Sequence, residues 1–227
     1  MEGEKWIKHY SSKQKILLIG EGDFSFALSL ATAFGNATNI VATSIDSPDM
    51  LQMRYAKAKS NLDLLEAYGC NLVYGVDAHT MHKHRALQNQ TFDRIVFNFP
   101  HAELFLREHS CSQIEMRKGR KGKKGEKWGK DSEKERKGRS EEMTLLCAHM
   151  MVANNGEVHI THKTASPFSL WDIEKLGKEA GFYLSQEVPF SRNDYPGYIN
   201  RKGEGHGSNC DGTFPVGLCS TFMFAKP

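Results

Sequence analysis

With 227 residues, 39% of them hydrophobic and 25% charged, the chain is long enough for one well-buried core and short for two, so residues 1–227 are read as a single domain. Its +3 formal charge excludes neither acidic nor basic partners until the charges are placed along the chain. A membrane span is excluded, because no run reaches the ~18 apolar residues that crossing requires, and MEGEKWIKHYSSKQ puts charges where a signal peptide needs an apolar stretch.

In chain order, KILLIG is a buried strand running into glycine, and FALSLATAFG a helix closed by Gly35. NIVATSID gives a second strand, and MLQMRYAKAKSNLDLLEAYG one amphipathic helix stopped at Gly69. NLVYGVD and FDRIVFNFP supply strands three and four. Later, EEMTLLCAHMMVANNG reads as a helix closing at Gly156, GEVHITHK as a fifth strand and SLWDIEKLGKEAG as a helix. FYLSQEVPF and STFMFAK end the chain as two strands with no helix between them. Apolar strands separated by helices build a parallel sheet covered on both faces. Two final strands without a crossover helix must pair antiparallel at an edge. The expected fold is α/β, seven mostly parallel strands with an antiparallel C-terminal pair, which by analogy resembles the Rossmann-like methyltransferase variation on the doubly wound sheet.

The charge is concentrated. Between Arg117 and Arg139 stand twelve Lys or Arg and four acids, a local net of +8 that leaves −5 for the remainder. Residues 117–140 form a Gly/Lys-rich ribbon too poor in apolar groups to offset the entropy of ordering, and are read as a disordered insertion. Such a ribbon attracts polyanions, nucleic acid above all, or acts as a nuclear localisation signal. Cys70, Cys111, Cys147, Cys210 and Cys219 contain no CxxC pair, which fits reduced thiols inside a cell and neither a disulfide framework nor a zinc finger. The histidines of DAHTMHKH, His79, His82 and His84, are read as a polar face, with no metal expected.

The sharpest motif is IGEGDFSFALSLA, where Gly20, Glu21, Gly22, Asp23 and Phe24 turn the chain from a strand into a helix at Ser25. Glycine there permits a tight turn and lets backbone N–H groups approach a ligand. Asp46 ends the second strand 26 residues after Gly20, where a carboxylate can accept both hydroxyls of a ribose. A nicotinamide dehydrogenase would show the same pair, but its pyrophosphate needs GxGxxG before a helix amino terminus. Here Ser25 replaces the third glycine, and Glu21 and Asp23 would repel an anion. S-adenosylmethionine, a phosphate-free sulfonium cation, fits such a turn better. Asp77, after the third strand, is placed to meet an adenine amino group or to cap the next helix. Asn98, Phe99, Pro100 and His101 follow the fourth strand and could hold a planar nitrogen-bearing ring in line with a methyl donor.

The set GEGDFSFALSLA, ATSID, FDRIVFNFPH, GEVHITHKT and YPGYINRKGEG resembles the large-subunit (25S) rRNA uridine-N3 methyltransferase-like family of fungi and plants, over nearly the whole chain outside the basic ribbon. The resemblance implies the Rossmann-like class I fold, S-adenosylmethionine as cofactor, rRNA as substrate and partner, and a nuclear or nucleolar location, with the cytoplasm as alternative. Within that reading Asn98 would accept the uridine N–H hydrogen bond, Phe99 would stack on a flipped base and His101 would take the proton. Lys163, beside His162 at the end of the fifth strand, would meet a phosphate or a base carbonyl, or is simply a solvated strand end. Tyr195, Tyr198 and Arg201 combine aromatic faces with a cation, as single-stranded nucleotide sites do, or serve as loop anchors. The alternatives are a catalytically silent RNA-binding assembly factor and a nicotinamide-dependent oxidoreductase. A monomer is assumed.

Overall fold

The computed structural model describes residues 3–100, 144–166, 168–170, 172–203 and 209–227. The basic ribbon at 117–140, Cys111 and His101 lie outside the described residues.

A hairpin of β1 (Trp6–Ile7) and β2 (Tyr10–Ser11) precedes the sheet. Then follow β3 (Ile16–Ile19), α1 (Ser25–Phe34), β4 (Ile40–Ser44), α2 (Pro48–Arg54), α3 (Ala58–Ala67), β5 (Asn71–Tyr74) and β6 (Phe92–Asn98). The second half holds a helix at 144–151 (α4), β7 (Val152–Lys163), α5 (Ile173–Glu179), β8 (Tyr183–Pro189) and β9 (Cys219–Ala225). Seven strands form one sheet in the order β5-β4-β3-β6-β7-β9-β8. The first five run parallel, and β9 lies antiparallel between β7 and β8. The expected architecture is therefore present, including its antiparallel edge. That strand order places the carboxyl ends of β3, β4 and β6 side by side, and the turn from Gly20 to Ser25, Asp46 and Asn98 to Pro100 sit on those ends.

Each face of the sheet buries its own core. Ile16, Leu18 and Val96 point to the face covered by α1, α3 and the hairpin, where Phe26, Leu30, Phe34 and Tyr10 are buried. Leu17, Ile95, Phe97, Val158 and Ile160 point to the other, against α4 and α5. Helix α1 ends where expected: Gly35 takes φ +76°, and its N–H reaches Ala31 O. Cys70, Cys147, Cys210 and Cys219 are buried free thiols.

Three elements differ from expectation. The long helix of MLQMRYAKAKSNLDLLEAYG is broken into α2 and α3 at Tyr55, which is extended at φ −132°, ψ 117°. The break seats the buried Tyr55 against Gly22, where a Cβ would lie 3.3 Å from its Oη. Tertiary packing has overridden helix propensity here. Helix α4 ends at 151 and not at Gly156, because Val152 already pairs with Phe92 in the sheet. Gly156 instead occupies the irregularity between Phe92 and Arg94. The β1–β2 hairpin lacks the apolar alternation that marks a strand; it is held by its buried Tyr10, whose hydroxyl lies 3.2 Å from His159 Nδ1. His159 Nε2 meets Glu157 Oε2 at 3.2 Å, and Arg94 pairs with Glu157 at 3.1 Å. No described helix is long and apolar enough to cross a membrane.

A Cβ at Gly156 would stand 2.9 Å from the carbonyl oxygens of both Phe92 and Asp93, backbone atoms that cannot swing aside. Gly156→Ala is expected to cost about 1 to 3 kcal/mol, read as a fall in thermal midpoint. An unchanged melting curve would show that the bulge yields.

Candidate functional site: the carboxyl ends of the central strands

The turn after β3 is built by backbone geometry. Gly20 takes φ +72°, and among the described residues no atom beyond its chain neighbours lies within 4 Å of where its Cβ would be. Glu21 N–H donates to Thr43 O at 2.9 Å, tying the turn to the end of β4. Phe24 also adopts the left-handed region, at φ +61°, unusual for an aromatic residue and costly. It is held there by burial, its ring 6.3 Å from that of Tyr74.

Helix α1 presents unpaired N–H groups at its amino terminus, as every helix does. Two carboxylates from the same turn take them: Asp23 Oδ1 accepts from Ser25 N at 3.0 Å, and Glu21 Oε2 from Ala27 N at 3.2 Å. A diphosphate would need those same donors. The acids thus disfavour it by occupying two of those donors.

They contribute less positive-ion attraction than the sequence suggested. Asp23, only 3% exposed, receives Arg201 Nε on Oδ2 at 2.6 Å, so its charge is already matched. Burial pushes the Glu21 carboxyl up to about 8, the Ala27 hydrogen bond opposing and Asp23 reinforcing the rise. Near neutral pH Glu21 therefore holds its proton.

Arg201 is consequently not placed as a nucleotide contact. Its guanidinium lies between Asp23 and Asp211, the latter at 3.1 Å, and its side chain is 11% exposed. Tyr195 is likewise buried, stacked on Phe190 at 5.7 Å and 4.9 Å from Phe26. Tyr198, partly buried, packs edge-on against Phe26 at 5.2 Å. With Ile199 N donating to Ser25 Oγ at 2.9 Å, these residues strap the loop after β8 across the glycine turn. They are the loop anchors that the sequence left as the alternative.

Asp46 stands two residues beyond β4, with Oδ2 bound by Arg54 Nη1 at 2.6 Å. Asp77 lies three residues beyond β5 and is half exposed; its Oδ1 accepts from His79 N and meets His79 Nδ1, both at 2.9 Å. Burial would raise this carboxyl, and the two His79 contacts outweigh it, so its pKa is lowered. The Val76 N to Ser44 O bond of 3.0 Å joins these two loops. Between them stands Ile45, 66% exposed, an apolar surface that sequence reading passed over because strand-end isoleucines ordinarily point inward. His82 pairs with Cys147 Sγ at 2.9 Å and His84 Nδ1 accepts from Ala86 N at 3.3 Å. A carboxylate and a thiol do reach the DAHTMHKH histidines, but separate ones, and among the described residues no three potential ligands cluster.

The second rim follows β6 and β7. Asn98 Oδ1 accepts from Thr161 Oγ1 at 2.8 Å, while its Nδ2 is buried without a partner among the described residues. Phe99 takes φ +49°, and its N–H donates to Thr161 O at 2.9 Å. Its half-buried ring meets Phe190 at 5.5 Å and Phe214 at 5.3 Å, both edge-on. Pro100 continues that turn. Lys163 Nζ sits 4.7 Å from the Phe168 ring and 4.6 Å from Phe214, a cation–π clamp and not an extended reach toward phosphate. His162 Nδ1–H donates to Lys163 O at 2.8 Å; burial lowers its pKa to about 4, so it is neutral at physiological pH. Thr161, Thr221 and the phenylalanines 168, 190 and 214 were missed. Buried threonine and scattered phenylalanine look like core in sequence, and only the FDRIVFNFP turn could have pointed toward them.

The family model described as BMT5-like, rRNA (uridine-N3-)-methyltransferase, matches residues 17–202. An uncharacterized Arabidopsis thaliana protein, At4g26485, is 48% identical over 225 residues, spanning 98% of both chains. The Saccharomyces cerevisiae 25S rRNA (uridine(2634)-N(3))-methyltransferase is 23% identical over 228 residues, covering 86% of this chain and 68% of that one. Among solved structures, an O-methyltransferase of neocarzinostatin biosynthesis in complex with S-adenosyl-L-homocysteine aligns over 94% of this chain and 49% of its own, with TM-score 0.52 and 11% identity. That likeness shows the fold.

Because the folded Glu21 carboxyl is raised from its ordinary 4.5 to about 8, its contribution to stability is complete below pH 4.5 and lost as pH rises through 8. Glu21→Gln, which keeps an acceptor for Ala27 N, removes that loss. Its thermal midpoint, relative to the natural chain, is expected to climb as pH rises from 5 toward 8 and to level off above that. A difference independent of pH would mean that Glu21 is ionised throughout.

Proposed function

Since the chain belongs to the BMT5-like rRNA (uridine-N3-)-methyltransferase family, with the fold of S-adenosylmethionine-dependent methyltransferases, we propose that it methylates N3 of a uridine in ribosomal RNA. One observation carries the reading. The turn after β6 holds a strained Phe99 beside a buried Asn98 amide whose N–H groups lack a partner among the described residues. A buried donor left unmatched costs about 1 to 3 kcal/mol. A planar base with carbonyl oxygens would remove that cost.

S-adenosylmethionine, when bound, supplies a methyl group made electrophilic by its cationic sulfur. The residues present fit it. Gly20 leaves open space at the turn, Glu21, Gly22, Asp23, Phe24 and Ser25 fix the backbone around it, and two donors of α1, Ser25 N and Ala27 N, are already taken by Asp23 and Glu21. Asp46 Oδ1 would hold a ribose hydroxyl while Arg54 keeps the carboxylate oriented through Oδ2. Ile45 and Asp77 would take the adenine face and edge.

On the substrate side, Asn98, Phe99 and Pro100 would line the base pocket, His101 would accept the imide proton, and Lys163 would approach the RNA once its aromatic clamp opened. The basic segment 117–140 would dock RNA or direct the protein to the nucleus and nucleolus. The yeast relative's printed activity supports a large-subunit rRNA target.

Nucleoside mass spectrometry of large-subunit rRNA from cells with and without the gene tests this. Loss of a 3-methyluridine is expected, restored by the natural chain and reduced at least about 100-fold in turnover with Asn98→Ala. Unchanged 3-methyluridine, or loss of another methylated nucleoside, would contradict the uridine assignment.

A further inference from the structure

The Asn98 amide is fixed by a chain of hydroxyls running across two strands. Thr161 Oγ1, on β7, lies 2.8 Å from Asn98 Oδ1 and 3.1 Å from Thr221 Oγ1 on β9. Both threonines are buried, so every hydroxyl hydrogen needs an acceptor within the protein. When Thr221 donates to Thr161 and Thr161 donates to Asn98 Oδ1, each hydrogen has one. Turning the amide over would make Asn98 Nδ2 donate to Thr161 and Thr161 to Thr221. The Thr221 hydrogen would then have no acceptor among the described residues. The first arrangement leaves only the NH2 group unmatched, and a carbonyl oxygen of a bound base can meet it, whereas the flipped one strands the hydrogen of the buried Thr221, at a cost of about 1 to 3 kcal/mol that no base relieves.

We propose that Thr161 and Thr221 are positioning residues that turn the NH2 group of Asn98, not its carbonyl, toward the substrate, and thereby select a base whose reacting ring nitrogen is flanked by a carbonyl oxygen. The inference rests on the uridine-N3 reading and deepens it, since N3 of uracil lies between two carbonyls. The sequence led us to expect Asn98 as an acceptor of the N–H hydrogen bond; the hydroxyl chain assigns it the opposite polarity. Chemically the donor is the more useful. When the N3–H bond breaks, its proton passes to a base or to water and its electron pair stays on the ring. The negative charge is then shared with the two carbonyl oxygens. An amide N–H held on one of them strengthens as that charge grows, which is the condition for raising turnover and not merely binding. An exocyclic amine, as on adenine or cytosine, would set donor against donor and leave both unmatched.

The test uses the full chain, in-vitro-transcribed large-subunit rRNA and radiolabelled S-adenosylmethionine. Thr161→Val removes the hydroxyl at nearly constant volume. Its turnover is expected to fall about tenfold or more, with KM for S-adenosylmethionine unchanged and the pH dependence of kcat moved to more alkaline values, because the imide proton is no longer made easier to lose. Thr161→Ser is expected to restore most of the lost turnover. Asn98→Asp, which offers only acceptors when ionised, gives a second arm that does not depend on the fold tolerating valine, and is expected to be as inactive as Asn98→Ala. Natural turnover and pH profile in Thr161→Val, or activity retained in Asn98→Asp, would overturn the inference. If the natural chain methylates a guanine ring nitrogen beside its carbonyl, the uridine reading falls and the donor assignment stands. If it methylates an exocyclic amine, both fall.

Discussion

Two carboxylates at the amino terminus of α1 govern what this crevice can accept. Asp23 and Glu21 take the Ser25 and Ala27 N–H groups, the donors through which related α/β folds hold a diphosphate. Neither acid could stay there uncompensated. Asp23 is matched by Arg201, and Glu21 is buried deeply enough to keep its proton near neutral pH. Preference for a phosphate-free cofactor thus follows from donors already used, and depends less on negative charge facing a sulfonium.

The Asp23–Arg201 pair also explains the long-range organisation. Arg201 and Ile199 belong to the loop after β8, yet they close on the turn after β3. The aromatic residues of that loop, Tyr195 and Tyr198, fill the gap against Phe26. The site is therefore assembled from both ends of the chain and cannot be complete until the antiparallel edge has formed. Strain is concentrated where the ends meet: Phe24 and Phe99, both at positive φ, follow the adjacent strands β3 and β6. Such conformations persist only where surrounding packing over-determines them.

Much of this was legible in sequence because it depends on local rules. Short apolar runs between helical stretches pointed to all seven strands of the main sheet, and the absence of a helix between the last two pointed to the antiparallel edge. The turn residues from Gly20 to Ser25 and the NFP turn were found from type and spacing alone. What was lost depended on distant partners. The break at Tyr55 exists because Gly22 leaves room for a tyrosine, and β7 begins at Val152 because Phe92 is there to pair with it. Charge was misjudged for the same reason: Asp23 and Arg201 stand 178 residues apart, so each looked like a free ion available to a ligand. The hydroxyl partners of Asn98 were out of sight for the same reason, since Thr161 and Thr221 come from two later strands.

Calorimetry on the purified chain with S-adenosylhomocysteine and with NAD, in parallel, addresses the cofactor side most directly. If Glu21 and Asp23 hold the donors of α1, the thioether compound binds with a measurable heat and NAD gives none at matched concentration. NAD binding comparable to that of S-adenosylhomocysteine would show that the helix terminus is open to phosphate, and would contradict the account at its base.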